Sequence, residues 1–310
     1  MAEWIYERGI GEERAALVED GAIIEAHIIS DDVGLRAGSV VAGRLIARHG
    51  IVRTGSGEEV VVRYIRDATE GAAVNVMIVR EAVVEPGADK RAKGAITDAP
   101  LRDGPDLLTR LGETGIAVRA LGAHDEDALE GAGWSECLEE AARGIVAFPG
   151  GTLRISLTPA MTLIDIDGTL ALDPLAIAGA QASAAAIRRF GLAGNIGIDL
   201  PTVAKPARMA AAAAFDAALP LPFERTAING FGFLQVILPR ARASLCEVVQ
   251  HDRSMAEARA LLRRTQRSAG PGPCTLTVTP AVAAVLTAHP AWLSALSSHL
   301  GGAVTLESAR

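Results

Sequence analysis

The sequence has few cysteines, and their spacing excludes two kinds of site. Only Cys137, Cys246 and Cys274 occur in 310 residues, and no two of them form a Cys-x-x-Cys pair. Structural zinc sites and redox dithiols use closely spaced cysteines, so neither is predicted. We expect buried or unreactive thiols instead.

Long apolar runs are also missing. No run reaches the roughly 20 residues that a membrane-spanning helix needs. The first eight residues are charged and lack the apolar region of a signal peptide. The chain is 49% hydrophobic, which is sufficient for a globular core at this length. We therefore expect a cytoplasmic protein that contacts no membrane.

Positive charge is scarce overall. The formal net charge is −7, which argues against general electrostatic attachment to nucleic acid but allows a local basic track. Basic residues concentrate in three segments, which contain Arg44, Arg48, His49 and Arg53; Lys90, Arg91 and Lys93; and Arg240, Arg242, Arg263, Arg264 and Arg267. Each segment by itself favours a solvated surface over a phosphate site.

Alternating apolar and polar residues predict an α+β fold made of several units. Short, closely spaced strands predict a small OB-like β-barrel inserted after an N-terminal β-hairpin. A stretch rich in Pro and Gly at 85–106 predicts a linker. The predicted units are a hairpin at 1–37, the barrel at 38–95, a linker region at 96–145, a mixed α/β domain at 146–250 and a small C-terminal α/β unit at 251–310.

Aspartates end two of the predicted strands. In residues 162–167 the alternation places Asp165 and Asp167 on one face and Ile164 and Ile166 on the other. Two carboxylates so close on one face repel unless something positive lies between them. A second apolar run ends at Asp199.

A helix is predicted between these two strands, with Asp173 as its N-cap and Gly191 at its C-terminal end. A right-handed crossover places such strands in one sheet, side by side or one apart, and ligands gather at their carboxyl ends. We therefore predict that Asp165 and Asp199 meet at one edge, with Asp167 close by. Carboxylate oxygens suit magnesium or manganese, and a phosphate could complete the coordination.

Three segments together resemble the ribonuclease E/G family. Residues 150–167 resemble its Gly-Gly and acidic-strand signature, and residues 229–235, Asn-Gly-Phe-Gly-Phe-Leu-Gln, are similar to its Arg-Phe-Gly-Leu-x-Glu strand. Arg119 lies in a segment similar to the family's Ile-Val-Arg-Thr. The likeness is collinear over nearly the whole chain.

The resemblance implies an endoribonuclease that hydrolyses single-stranded RNA during RNA processing or decay. Catalysis would depend on magnesium, or manganese, held by Asp165 and Asp199, with Asp167 in the place of a supporting asparagine. Residues 96–145 would be the remnant of a 5′-sensor. RNA contacts are predicted at Arg119, Arg44, Arg48, Lys205 and Arg208. The partners are RNA and a second copy of the chain in a homodimer.

Some family features are absent. No Phe or Trp occurs between residues 38 and 84, so the barrel should bind RNA by charge rather than by stacking. Ala120 takes the place of the sensor's Thr. The Cys-Pro-x-Cys that links family members through zinc is missing after Cys246, so no zinc-bridged assembly is expected.

Two alternatives stay open. Residues 165–170, Asp-Ile-Asp-Gly-Thr-Leu, also resemble the first motif of haloacid dehalogenase-like phosphatases, in which Asp165 would be the nucleophile and Asp167 a general acid. The downstream acidic pair of that family is missing, and Lys205 is the only lysine after Lys93. The other alternative is a paralogue that binds RNA without cutting it.

Overall fold

The computed structural model describes residues 1–47, 50–62, 69–83, 90–122 and 124–308. These residues form a mixed α+β fold that contains a closed five-stranded barrel, which confirms the predicted fold class at that level. Arg48, one of the predicted RNA contacts, lies outside the described residues.

The chain begins with three antiparallel strands, β1 (Glu3–Arg8), β2 (Glu12–Glu19) and β3 (Ala22–Ser30). Asp20 and Gly21 join β2 to β3 with φ angles of 50° and 80°. Positive φ at both positions is what a two-residue hairpin turn requires. The predicted N-terminal hairpin is therefore present, and β1 adds a third strand to it.

The barrel follows directly. Its strands are β4 (Val40–Ala47), β5 (Ile51–Thr54), β6 (Glu59–Val62), β7 (Ala73–Arg80) and β8 (Ala92–Thr97). They close in the order β4-β5-β6-β8-β7. Buried aliphatic side chains fill the interior, among them Leu45, Val52, Val60, Val76 and Ile78.

The predicted linker at 85–106 is wrong in part, because β8 lies within it and closes the barrel between β6 and β7. The inward side of β8 carries Ala92 and Gly94, both buried. A Cβ at Gly94 would lie 3.0 Å from the Met77 carbonyl oxygen and would collide with Val76. Barrel closure therefore requires small residues, which carry little of the apolar signal that predicts a strand.

After the barrel, the chain returns to the N-terminal strands. Helix α1 (Leu107–Glu113) leads into β9 (Val118–Ala120), which pairs in parallel with β1 and completes a four-stranded sheet, β3-β2-β1-β9. Two helices follow, α2 (Ala128–Gly131) and α3 (Trp134–Arg143).

A six-stranded mixed sheet carries the aspartates. Its part of the chain contains β10 (Ile145–Phe148), β11 (Gly151–Leu157), β12 (Thr162–Gly168), α4 (Leu172–Phe190), β13 (Gly194–Asp199), α5 (Lys205–Ala218), β14 (Glu224–Arg225) and β15 (Phe233–Leu238). The strand order is β10-β11-β12-β13-β15-β14. Only β12 and β13 pair in parallel, and they are neighbours.

The crossover helix α4 matches its prediction at one end. It stops at Gly191, whose φ of 62° is left-handed, as a C-terminal glycine predicts. The predicted N-cap at Asp173 is wrong, because Ala171 occupies that position and Asp173 lies in the first turn. A carboxylate in the first turn still interacts favourably with the helix dipole.

One face of the six-stranded sheet is covered and the other is open. Ile164 and Ile198 are fully buried in the core that the sheet shares with α4 and α5. At Gly179 of α4 a Cβ would lie only 2.7 Å from Ile166, so the helix packs close against β12. The residues that alternate with these on β12 are exposed.

The C-terminal part has a core of its own. Helix α6 (Leu245–His251) still packs into the core of the six-stranded sheet. The separate core is formed by α7 (Arg253–Ser268), β16 (Cys274–Val278), α8 (Pro280–Ala288), α9 (Pro290–Leu300) and β17 (Val304–Ser308), with β16 and β17 paired in parallel. Across the described ranges, no single helix has the length and apolar content of a membrane span, although α8 and α9, bent by 89°, meet these criteria as a pair.

Buried ion pairs tie α7 to the N-terminal sheet. Arg14 of β2 is completely buried and lies 2.9 Å from Glu7 and 2.8 Å from Glu12. Arg263 of α7 donates to Glu7 at 3.1 Å, and Arg267 donates to the same carboxylate at 3.3 Å. The solvated surface predicted for the segment with Arg263 and Arg267 is therefore wrong for these two residues.

Candidate active site

Asp165 and Asp199 lie side by side at the carboxyl ends of two adjacent parallel strands. Asp165 of β12 is the direct register partner of Asp199 of β13, and neighbouring strands are about 4.8 Å apart. Both side chains are exposed. Because register partners point to the same side of a sheet, the two carboxylates share its open face. The predicted convergence of the strand ends is observed.

Asp167 lies on the same face, two residues further along β12, and is held by an arginine. Arg154 Nε donates to Asp167 Oδ2 at 3.2 Å, and both side chains are more than half exposed. Arg154 is also the register partner of Asp165 on β11. It supplies the positive charge that neighbouring carboxylates need. Sequence reasoning gave Arg154 no role, since its pairing with β12 is a property of register.

The side chains of the two register partners have no ion pair of their own. Within the described ranges, neither the Asp165 nor the Asp199 carboxylate takes part in a hydrogen bond or an ion pair. Their oxygens are free to accept a cation, and two carboxylates from one sheet edge fit magnesium, which is bound through one or two carboxylates plus water and substrate phosphate. No group of three or more His, Cys, Asp or Glu in the described residues has a metal-binding arrangement.

An exposed aromatic ring lies beside this pair. Phe231 is 83% exposed on the turn that enters β15, two residues before Phe233, the register partner of Asp199. Asn229 Oδ1 accepts from the Phe231 amide at 2.9 Å and from the Phe233 amide at 3.1 Å. The Thr202 hydroxyl donates to the Phe231 carbonyl at 3.1 Å.

The turn that carries Phe231 is fixed by close packing against the loop after β13. Gly232 has a φ of 95°, and a Cβ at this position would collide with the Leu200 carbonyl oxygen. The loop after β13 and the turn before β15 therefore pack together closely, and they hold the ring near the aspartates. Phe231 lies in the segment that resembles the ribonuclease E/G strand, but no local sequence signal predicts the exposure of its ring.

Two predicted RNA contacts lie at the same edge. Lys205 begins α5, six residues after the end of β13 at Asp199, and Arg208 lies three residues further along the helix. The Arg208 Nη1 atom is 3.7 Å from where a Cβ on Gly230 would be. Both side chains line a shallow cavity of about 340 Å³ that also contains Asp216 and Arg225. Positive charge is therefore present next to the turn that carries Phe231.

The other predicted contacts lie elsewhere. Arg119 of β9 belongs to the four-stranded sheet and pairs with Glu3 at 3.2 Å. Arg44 lies on the outside of the barrel and donates to the Gly71 carbonyl at 3.1 Å. Neither residue is on the six-stranded sheet, so the predicted RNA contacts are distributed over three parts of the molecule.

The cysteines form no site in the described part of the chain. Cys137 and Cys246 are buried and Cys274 is partly exposed. Burial raises the pKa of the Cys137 thiol to about 11, and burial likewise raises the pKa of Cys246. These two thiols stay protonated at neutral pH and are poor nucleophiles.

Comparison with known proteins returns no family. No protein-family model matches the chain, and no curated protein matches it. The resemblance to ribonuclease E/G proteins thus stays a prediction from three segments of sequence.

Proposed function

We propose that the protein is a magnesium-dependent endoribonuclease that hydrolyses phosphodiester bonds of single-stranded RNA. The observation that carries this proposal is the register pairing of Asp165 and Asp199 on the open face of the six-stranded sheet. Neighbouring carboxylates that form no ion pair of their own suit a divalent cation. The open face gives a long substrate access from either side.

The aspartates and Arg154 have different roles in this proposal. Asp165 and Asp199 hold the cation, and Asp167 supports it from a position fixed by Arg154. When bound, the cation polarises the scissile phosphate and lowers the pKa of a bound water. Hydrolysis would add the oxygen of water to phosphorus and break the bond to the 3′ oxygen. One proton of the water would go to that 3′ oxygen, and the phosphate would stay on the 5′ oxygen.

Two features support RNA as the substrate. The Phe231 ring offers a stacking surface for a base, and stacking is independent of base identity. Lys205 and Arg208 place positive charge at the same edge, where it can neutralise backbone phosphates. In this proposal the stacking contribution to RNA affinity comes from the sheet edge rather than from the barrel.

The barrel has an accessory role in this proposal. We propose that it is OB-like, because its strand order closes β4-β5-β6-β8-β7 with β6 and β8 parallel. Arg44 on its exposed side, together with Arg119 of β9, would add ionic contacts to the RNA. Such contacts strengthen binding at low salt and weaken steeply as salt rises.

The phosphatase alternative rests on the Asp165-Ile-Asp167-Gly motif, which lies at a strand end with Asp165 exposed. A phosphatase of that type uses Asp165 as a covalent nucleophile and Asp167 as a proton donor. The ion pair between Asp167 and Arg154 occupies a carboxylate oxygen that a general acid would have to present to the leaving group.

One experiment separates the three functions. Magnesium is titrated into the protein, which is then assayed on a single-stranded RNA oligomer and, in parallel, on a chromogenic phosphate monoester. We expect RNA cleavage that depends on magnesium and is abolished by Asp199→Asn. Retained cleavage in that variant overturns the proposed site.

The other outcomes identify the alternatives. Turnover of the ester, with an Asp165 adduct trapped by beryllium fluoride, would show the phosphatase. RNA binding without turnover of either substrate would show the non-catalytic paralogue. Asp20→Asn is the matched control, because Asp20 is exposed at a hairpin turn where asparagine accepts the same positive φ.

A further inference from the structure

A second cavity lies where the barrel meets the six-stranded sheet. Its volume is about 470 Å³, within the range of small-molecule sites. The barrel side provides Arg80 from the end of β7 and Lys93 from β8, while the sheet side provides Thr162 from the start of β12 and Asn195 from the start of β13. The cavity is thus at the opposite end of the strands from Asp165 and Asp199.

Cationic side chains predominate among the described residues that line the cavity. These residues include four cations, Arg80, Lys90, Lys93 and Arg240, and one carboxylate, Glu247. Glu247 forms an ion pair with Arg240. Lys90 Nζ donates to the Pro159 carbonyl at 3.4 Å, which links the barrel to the loop before β12.

Two basic segments that are far apart in sequence therefore meet in one cavity. Lys90 and Lys93 come from one segment, and Arg240 comes from another. Uncharged polar side chains also line the cavity, those of Thr158, Thr162, Asn195 and Gln250. Clustered cations with neutral donors form a site for an anion such as a phosphate.

The cavity and the aspartate pair are joined by the open face of the sheet. Asn195 and Asp199 are on the same side of β13, four residues apart, which corresponds to about 13 Å along a strand. The floor between them is apolar: Leu163 is 37% exposed, and Phe233 and Met161 lie over Gly197. Met161 also lines the cavity, so the surface is continuous.

We propose that this cavity binds a backbone phosphate of single-stranded RNA, a few nucleotides away from the phosphodiester that is cut. The strand then runs along β12 and β13, with its bases over the apolar floor, from the cavity to the aspartate pair. This inference rests on the proposed ribonuclease function and adds a fixed distance between an anchored phosphate and the point of cleavage.

The test measures RNA binding rather than cleavage. Labelled oligouridylates of increasing length are titrated in EDTA and followed by fluorescence anisotropy at several salt concentrations. The test variant is Lys90→Gln/Lys93→Gln. The control is Arg53→Gln/Arg143→Gln, which removes the same charge from two exposed arginines outside the cavity.

For the wild type, affinity should rise steeply once the oligomer is long enough to reach from the aspartates to the cavity. The lysine variant should lose that rise and bind long oligomers on the order of tenfold more weakly at low salt. The slope of log Kobs against log salt should fall by up to about 1.4, since each phosphate contact on a single strand contributes about 0.7. The arginine control and Asp199→Asn should keep the rise with length.

The outcomes separate this inference from the proposed function. Equal affinity and slope in the lysine variant and the wild type would overturn the inference, even if the protein cuts RNA. Uridine monophosphate binding as tightly as the long oligomer would also overturn it, because the cavity would then hold a free nucleotide. A protein that binds no RNA would overturn both proposals. If the length dependence and the effect of the lysine variant are observed but no magnesium-dependent cleavage is found, the inference holds and the proposed nuclease activity is wrong.

Discussion

Two acidic clusters in this molecule use the same chemical group in opposite ways. Glu7 and Glu12, in the four-stranded sheet, are buried and contacted by arginines, with Arg14 between them. Asp165 and Asp199, in the six-stranded sheet, are exposed register partners without an ion pair in the part of the chain that the structure describes. The first cluster is paired with arginines of the chain, whereas the Asp165 and Asp199 carboxylates of the second form no ion pair and are open to a cation from solution.

The difference identifies which carboxylates are structural and which are available for a ligand. Removing one partner from a buried ion network leaves a charge in a medium of low dielectric, which is strongly destabilising. Adjacent exposed carboxylates instead repel each other mildly in water, and a cation relieves that repulsion. The free energy of folding should therefore depend on the first cluster, and cation binding on the second.

The largest effect is expected for Arg14→Met. The substitution keeps the length of the side chain but leaves Glu7 and Glu12 without their shared cation. We expect a loss of about 3–5 kcal/mol in the free energy of unfolding, measured by urea denaturation. Arg8→Met is the matched control, because Arg8 is 69% exposed in its ion pair with Glu13 and such pairs contribute about 0–1 kcal/mol. Equal losses of unfolding free energy in the two variants would show that the buried ion pairs stabilise the fold no more than the exposed one does.

The second effect concerns magnesium and the thermal stability of the protein. A cation held by Asp165 and Asp199 should stabilise the folded state by about 2.7 kcal/mol at a hundred times its Kd, seen as a rise in Tm. Asp199→Asn should abolish that rise and, without magnesium, should be at least as stable as the wild type because a repulsion is gone. Asp20→Asn should keep the rise. A magnesium-dependent Tm in Asp199→Asn would place the cation elsewhere.

The third effect is on RNA affinity. Phe231→Ala should weaken binding of a single-stranded oligomer by about 1–3 kcal/mol, the contribution of one stacked base, without changing the Tm. Phe231→Trp should restore the affinity. Leu172→Ala, at another exposed apolar side chain, should have no effect. If Phe231→Ala binds RNA as well as the wild type does, the ring is not a stacking surface.

The smallest effect is expected at Arg154, the cation next to the open cluster. Arg154→Gln leaves more uncompensated negative charge around Asp165 and Asp167. Magnesium affinity, measured by calorimetry, should therefore increase by up to about 1 kcal/mol, the upper end for an exposed ion pair. Weaker magnesium binding in this variant would mean that Arg154 positions Asp167 more than it neutralises it.

Local patterns predicted the elements that carry the aspartates. Alternation identified the faces of β12, and Gly191 marked the end of α4, because both signals come from residues a few positions apart. Closure of the barrel by β8 could not be predicted in this way. Its inward positions are Ala92 and Gly94, whose small size is required by strands that come from other parts of the chain.

The candidate site was predictable only in its acidic half. Asp165, Asp167 and Asp199 end apolar runs and are visible in the sequence. The contact between Arg154 and Asp167 depends on strand register, and the exposure of Phe231 depends on how two loops pack. The burial of Arg263 depends on Glu7, 256 residues away. Periodicity within a window contains no information on such distant partners.

The bond between Arg263 and Glu7 also has a consequence for the time course of synthesis. Glu7 is synthesised before Arg263, which follows 256 positions later. At about 5–20 residues per second, that interval is roughly 13–50 s. During it, Glu7 can pair with Arg14 but lacks both of its contacts from α7. The four-stranded sheet is therefore assembled early and completed last, and a nascent chain arrested before α7 should be more sensitive to protease in β1 than the released protein.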